Sequence, residues 1–352
     1  MSEVTLEAAL NELAKDSDNA EEFLREYEQT KSYLEQQIYP WVQANCSWFT
    51  DHGRQHIDAV INQASRLLED ELRNVGDNDL TELDIFILLT SILWHDVGMI
   101  VDRSEHDQIS TDVFDELQTM GAMSPNVKRV ITDIIKAHRG DSGLDIPQKN
   151  TSFTINGKIY KIYPKALAGI LRFSDEISET QERVSSDRWV RDTVPVESRI
   201  FWRYAQTIQS CYPLLNGKAI KVVIGMEVDD AIEMYPCPDS FEHRGNQNGE
   251  ISLIQYIICR LEKLINELAY CERYFNRYVE IRDVELTLTI RGSDQTIEHE
   301  INETLGAAGL TKMGTYPSVT IYDEFFNQYS RCKPDNLPSG SNEDGQGGEN
   351  YD

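Results

Sequence analysis

His95 and Asp96 stand side by side where the strongly apolar run Ile85–Trp94 stops, with Gly98 just beyond. A neutral imidazole and a carboxylate are both good ligands for a divalent cation. An aspartate at the end of such a run needs a partner, because burying an unpaired carboxylate is costly. Taken alone, the pair reads as an aspartate capping the next turn and a histidine packed in a core. The other titratable residues change that reading.

The elements that would position this pair are helical. Apolar spacing predicts helices at 54–73, 82–96, 105–120, 125–138 and 164–180. Asn74–Asn78 reads as a turn, and Ser104 with Asp107 as a capping box that opens the third helix. In the first helix His56 shares a face with Val60, Ala64, Leu67 and Leu68, and His52 lies one turn earlier. His106 lies on one face with Ile109, Val113, Phe114 and Leu117; His138 ends the stripe Val127, Val130, Ile131, Ile134, Ile135. Asp175 ends the stripe Leu167, Ile170, Leu171, Ser174. Each helix thus presents a metal-capable residue inward, and such a set is hard to satisfy in a core without a cation.

The order His…His-Asp…His…His…Asp resembles the HD superfamily of metal-dependent phosphohydrolases over about residues 48–185. The matching segments are His52-Gly-Arg-Gln-His56-Ile-Asp-Ala-Val60, Leu93-Trp-His95-Asp96-Val-Gly-Met99, Glu105-His106, Lys136-Ala-His138-Arg139 and Leu171-Arg-Phe-Ser-Asp175-Glu176. The resemblance implies an all-helical metal site in which His56, His95, Asp96 and Asp175 hold a first ion. It matches His106 and His138 to positions that complete a second ion, bridged by Asp96, in dinuclear branches. Two departures stand out. His138-Arg139 replaces the double histidine of several phosphodiesterase branches, and the first motif offers both His52 and His56. His56 has the family's spacing to Val60 and is preferred; His52 is an extra ligand, a proton donor to the leaving group, or a surface histidine.

The cofactor expected from mixed His/Asp ligation is a transition metal (Mn, Fe, Co, Ni or Zn), as one or two ions. Asp96, His106, His138 and His52 are the candidate catalytic groups. Arg54, Lys136, Arg139, Arg172 and Arg183 lie near the motifs, and Arg139 and Arg172, close to proposed ligands, are the foremost candidates for holding substrate phosphate. The resemblance implies a nucleotide phosphohydrolase, with a deoxynucleoside triphosphate triphosphohydrolase ranked ahead of a phosphodiesterase of cyclic or short oligonucleotides. Asp175-Glu176, Arg183 and the appended C-terminal region resemble a bacterial HD branch found beside defence genes. The rival from another class is a nucleotide-sensing binding module without turnover, against which the intact ligand set counts.

The chain has 352 residues and a net charge of −27. Such a surface disfavours long nucleic acids and anionic membranes, and leaves a small nucleotide as the expected partner. Six cysteines form no CxxC pair, and the acidic N-terminus has no apolar signal core, so reduced thiols and a cytoplasmic location are expected. The expected fold is mainly α. A helical segment at 1–44 covers an HD-type bundle at 45–190, followed by a smaller α+β region at 191–332 and a disordered acidic tail at 333–352. Residues 219–228 and 284–290 read as strands, 251–278 as a long helix, and 153–160 as a hairpin turning at Asn156-Gly157. Pro40 reads as a boundary. His243 and His299 are isolated, and a homo-oligomer through the α+β region or the N-terminal helices is a further expectation.

Overall fold

The computed structural model describes residues 4–306, apart from 46–49, 51, 75–79, 102–104, 118–122, 140–149, 186–192, 216–217, 240, 242–244, 246–247 and 293. Most of the expected 74–78 turn, Ser104, His243 and the 333–352 tail lie outside the described residues.

The helical part is built around one helix, α6 (Glu82–Trp94), all of whose residues are buried. A helix that is apolar on every side must be surrounded, and its N-terminus is fixed by a capping box between Thr81 and Asp84. Among the described residues, Glu82–Ile100 is one run apolar and long enough to cross a membrane, and 94% of it is buried inside the protein. Around α6 stand α1 (Leu6–Leu13), α2 (Asp18–Gln37), α4 (Arg54–Leu67), α7 (His106–Leu117), α8 (Pro125–Ala137) and α9 (Pro164–Glu176). The N-terminal helices do cover the bundle: Phe23 stacks on Phe86 with ring centroids 5.1 Å apart, and Leu6 N donates to Ser65 Oγ of α4.

Pro40 stands at a boundary between two helices. α2 ends at Gln37, α3 (Tyr39–Asn45) begins two residues on, and Pro40 sits in its first turn, where a missing N–H costs nothing. The predicted 54–73 helix is also interrupted, at Leu68, with α5 (Glu69–Arg73) continuing beyond it. The hairpin is β1 (Thr151–Ile155) and β2 (Lys158–Ile162), with φ of 47° at Asn156 and 80° at Gly157, the two left-handed positions of a tight two-residue turn.

The C-terminal region follows α10 (Val196–Thr207). It holds β3 (Ile208–Leu214), β4 (Ala219–Glu227), α11 (Val228–Ile232), β5 (Met234–Pro236), β6 (Glu250–Ser252), α12 (Leu253–Phe275), β7 (Asp283–Arg291) and β8 (Ile297–Gly306). The main sheet runs β3-β4-β7-β8. β4 and β7 are parallel, and their connection carries α12, as parallel strands require a long crossover. Buried residues alternate along β7, so one face of the sheet meets the core. α12 lies along α9, and one apolar cluster runs from α1 to β7 without a break. The sheet region is therefore joined to the helical bundle through a common core.

Candidate metal centre

Helix α6 ends with His95 as its C-cap, and Asp96 opens the 3₁₀ turn Val97–Ile100. The turn swings both side chains into the bundle, where the other helices meet them. Asp96 Oδ2 lies 2.9 Å from His52 Nδ1, 3.3 Å from His56 Nε2 and 3.3 Å from His95 Nε2. Its other oxygen, Oδ1, lies 3.5 Å from His106 Nε2 and 3.7 Å from His138 Nε2. Asp175 Oδ1 closes the first group, 3.1 Å from His56 Nε2 and 3.9 Å from His95 Nε2. The seven side chains form three overlapping sets of potential ligand atoms: His52, His56 and Asp96; His56, His95 and Asp175; Asp96, His106 and His138.

Second contacts fix which ring nitrogen carries the lone pair. A carbonyl oxygen can only accept, so His95 Nδ1, 2.8 Å from Ile92 O, must be the protonated nitrogen. His138 Nδ1, 2.5 Å from Ile135 O, must be protonated for the same reason. Ser178 Oγ donates to Asp175 O, so it accepts from His56 Nδ1 at 3.3 Å. In the neutral tautomers, all three Nε2 atoms then present lone pairs toward the two carboxylates. His95 Nε2 is fully buried and makes no hydrogen bond. Lone pairs facing carboxylate oxygens in a buried site fit a cation, and histidine ligands are held in this way at metal sites.

The electrostatics agree. Burial would raise Asp96, but the neighbouring His95 charge and the contacts from His52, His56 and His95 outweigh it and hold this carboxyl well below its ordinary range. Asp175 is lowered too: burial opposes, and His56 and His95 prevail. Burial would lower His95, yet Asp96 and Asp175 push it up to about 9. Burial takes His138 down to about 4, helped by the charges of His95 and His106. The same negative field that raises His95 would favour a metal ion.

Glycine at 98 lets α7 approach. A Cβ there would clash with the His106 carbonyl and lie 2.7 Å from Ser110 N. Gly98 N donates to Ser110 Oγ, which donates to the His95 carbonyl, so one serine ties α7 to both sides of Asp96. At the other end Gln63 Nε2 of α4 donates to Ile177 O (3.1 Å) and Cys211 O (2.7 Å), linking the stretch after Asp175 to β3. Glu176 points away from the cluster, to Arg260 and Lys263 of α12.

Residues 46–233 match the HD-CE family, a span that holds all seven cluster residues and more than half of the chain. The chain belongs to the HD-CE family. The HD-CE match runs past residue 190 into β4 and α11, beyond the helical bundle. No curated protein matches the chain. Family membership together with a His/Asp cluster able to hold a metal indicates a metal-dependent HD hydrolase.

All seven ligand and catalytic candidates from the sequence are brought together, His52 included. The candidate phosphate-binding cations have the following partners. Arg172 is buried, and its Nε and Nη2 donate to the two oxygens of Glu267 at 2.7 and 2.8 Å; Nη1 reaches Arg139 O, and the group lies over Tyr270. It fastens α9 to α12. Arg139 lies 3.5 Å from Asp107, Arg54 lies against Glu35 and Asp58, and Lys136 is exposed. Arg183 Nη2 is 3.4 Å from His52 Nδ1. His299 is on β8, opposite Ile290. Sequence reasoning missed Ser110, Ser178 and Gln63, whose partners on other elements lie 12 to 148 residues away and leave no periodic signal.

Proposed function

We propose that the protein is a metal-dependent phosphohydrolase of a compact nucleotide. The observation that carries this reading is Asp96, whose two carboxylate oxygens face two separate sets of imidazoles. His56, His95, Asp96 and Asp175 would hold a first ion, and Asp96, His106 and His138 a second. Ions bound there would supply Lewis-acid polarisation of a phosphoryl oxygen and a water of lowered pKa. The protein's own part is to keep these ligands buried, orient their lone pairs and manage protons. His52, held through Nδ1 by Asp96, is placed to exchange a proton with the leaving group through its other ring nitrogen.

Resemblance to the HD superfamily puts a deoxynucleoside triphosphate first as substrate, cut at the α-phosphorus. A phosphodiesterase of cyclic or short oligonucleotides is the second reading, favoured by the His106–His138 side of Asp96, which suits a two-ion site. The net charge of −27 supports a short substrate in either case, since a long polyanion would run over acidic surface. The test is to incubate metal-loaded protein with dNTPs, NTPs and cyclic and short oligonucleotides, and to identify products. Inorganic triphosphate plus a nucleoside indicates the first reading; a linear nucleotide with a new terminal phosphate indicates the second. Binding without turnover of any compound would support a nucleotide sensor, and degradation of long strands alone would contradict both readings.

A further inference from the structure

The cluster is not equally buried on all sides. The side chains of His56 and His95 are 0% exposed, whereas His52 is 17%, His106 14% and Asp175 30% exposed. The cluster is most open to solvent at His52, Asp175 and His106. At the His52 end stands Arg183, on the 3₁₀ turn Gln181–Arg183 that follows α9. Its side chain is 5% exposed, its Nη2 lies 3.4 Å from His52 Nδ1, and its Nη1 pairs with Glu179 at 3.0 Å. We propose that Arg183 is the residue that grips a phosphoryl group at the open edge of the metal centre, and that Glu179 holds its guanidinium in place until the anion arrives.

The inference rests on the phosphohydrolase reading and names its phosphate-side residue. Local charge supports it. Glu176 is paired with Arg260 and Lys263 of α12, so Glu179 is the carboxylate that pairs with Arg183. Ions held in the centre would offset Asp96 and Asp175, and Arg183 would then add positive charge at the edge where an anion enters. A guanidinium with little exposure to water makes a stronger contact with phosphate than a solvated one, and its planar fork matches two phosphoryl oxygens. Arg172, the other buried arginine near the ligands, is held by both oxygens of Glu267.

The experiment uses the full chain loaded with Mn²⁺ and titrated with orthophosphate, following paramagnetic broadening of the phosphorus NMR line, which reads phosphate beside the ion without any turnover. Arg183→Gln should weaken phosphate binding about tenfold, as loss of a charge-assisted hydrogen bond does, with metal content retained and Tm lowered because Glu179 loses its partner. Arg183→Lys should restore part of it. Glu179→Gln should tighten binding, because it removes the competing carboxylate and leaves the cation. That opposite sign separates the proposal from a purely structural ion pair, and it decides the matter alone if Arg183→Gln fails to fold. Wild-type affinity in Arg183→Gln, or equal weakening in both variants, would overturn the proposal, as would the absence of broadening in the wild type. Failure of the nucleotide reading shows separately, as no product from any nucleotide while phosphate still binds beside the ion.

Discussion

His106 Nε2 and His138 Nε2 face each other at 3.0 Å, with Asp96 Oδ1 close to both. His138 gives its Nδ1 proton to Ile135 O, so in its neutral form the nitrogen that faces His106 is the one bearing the lone pair. His106 Nε2 can donate to that lone pair, and with a metal bound the two rings and Asp96 would be its ligands instead. His106→Ala and His138→Ala should each reduce metal content from about two ions per chain to about one, because His56, His95, Asp96 and Asp175 still hold the first. Elemental analysis after gel filtration checks this. Unchanged metal content would make both rings substrate-facing acid or base groups.

Gly98 sets the distance between the Asp96 turn and α7. Gly98→Ala should push His106 outward, lowering stability by about 1–3 kcal/mol, the usual effect of overpacking a close contact. The second ion should be lost before the first. Denaturant unfolding and metal analysis on one preparation measure both effects, and a variant with wild-type stability and metal content would show that α7 yields freely.

Arg172 and Glu267 provide a structural counterpart. Glu267→Ala leaves a buried guanidinium without its carboxylate and should cost about 3–5 kcal/mol, lowering the denaturant midpoint. If Arg172 instead binds substrate phosphate, Arg172 substitutions would weaken substrate binding while the midpoint stays put.

Asp84 gives the pH dependence. Burial is the largest influence on it and pushes its carboxyl up to about 7, despite the hydrogen bonds from Thr81. The folded protein therefore binds a proton that the unfolded chain, with its ordinary carboxyl, releases at lower pH. The sign follows: this group's contribution is fully present below the unfolded value, falls as pH rises from about 4 to about 7, and stays low above that. Asp84→Asn keeps an acceptor for the Thr81 N–H and removes the ionisation. Its stability relative to wild type should rise across that window and level off above it. A constant difference from pH 4 to pH 8 would mean that Asp84 titrates normally.

Much of this was legible in the sequence, for identifiable reasons. The stripes ending in His138 and Asp175 and the His95-Asp96 pair are local patterns, and helical periodicity placed each of them. The strands β4 and β7 are apolar and alternate, so they were visible too. β3 and β8 were missed because they are edge strands: β3 carries Pro213, and β8 is polar along Ile297–Gly306. The fate of Arg172 could not be read, since Glu267 lies 95 residues away and only the packing of α12 on α9 brings them together.

Asp96 is the residue common to both proposed ion sites, one oxygen facing each. The most direct measurement is the metal content of wild-type protein and Asp96→Ala, purified without chelator, with circular dichroism confirming that both are folded. The account predicts a transition metal in the wild type and, in a folded Asp96→Ala protein, loss of metal together with loss of nucleotide hydrolysis. A folded Asp96→Ala protein that retains full metal content, or that is fully active without metal, would contradict it.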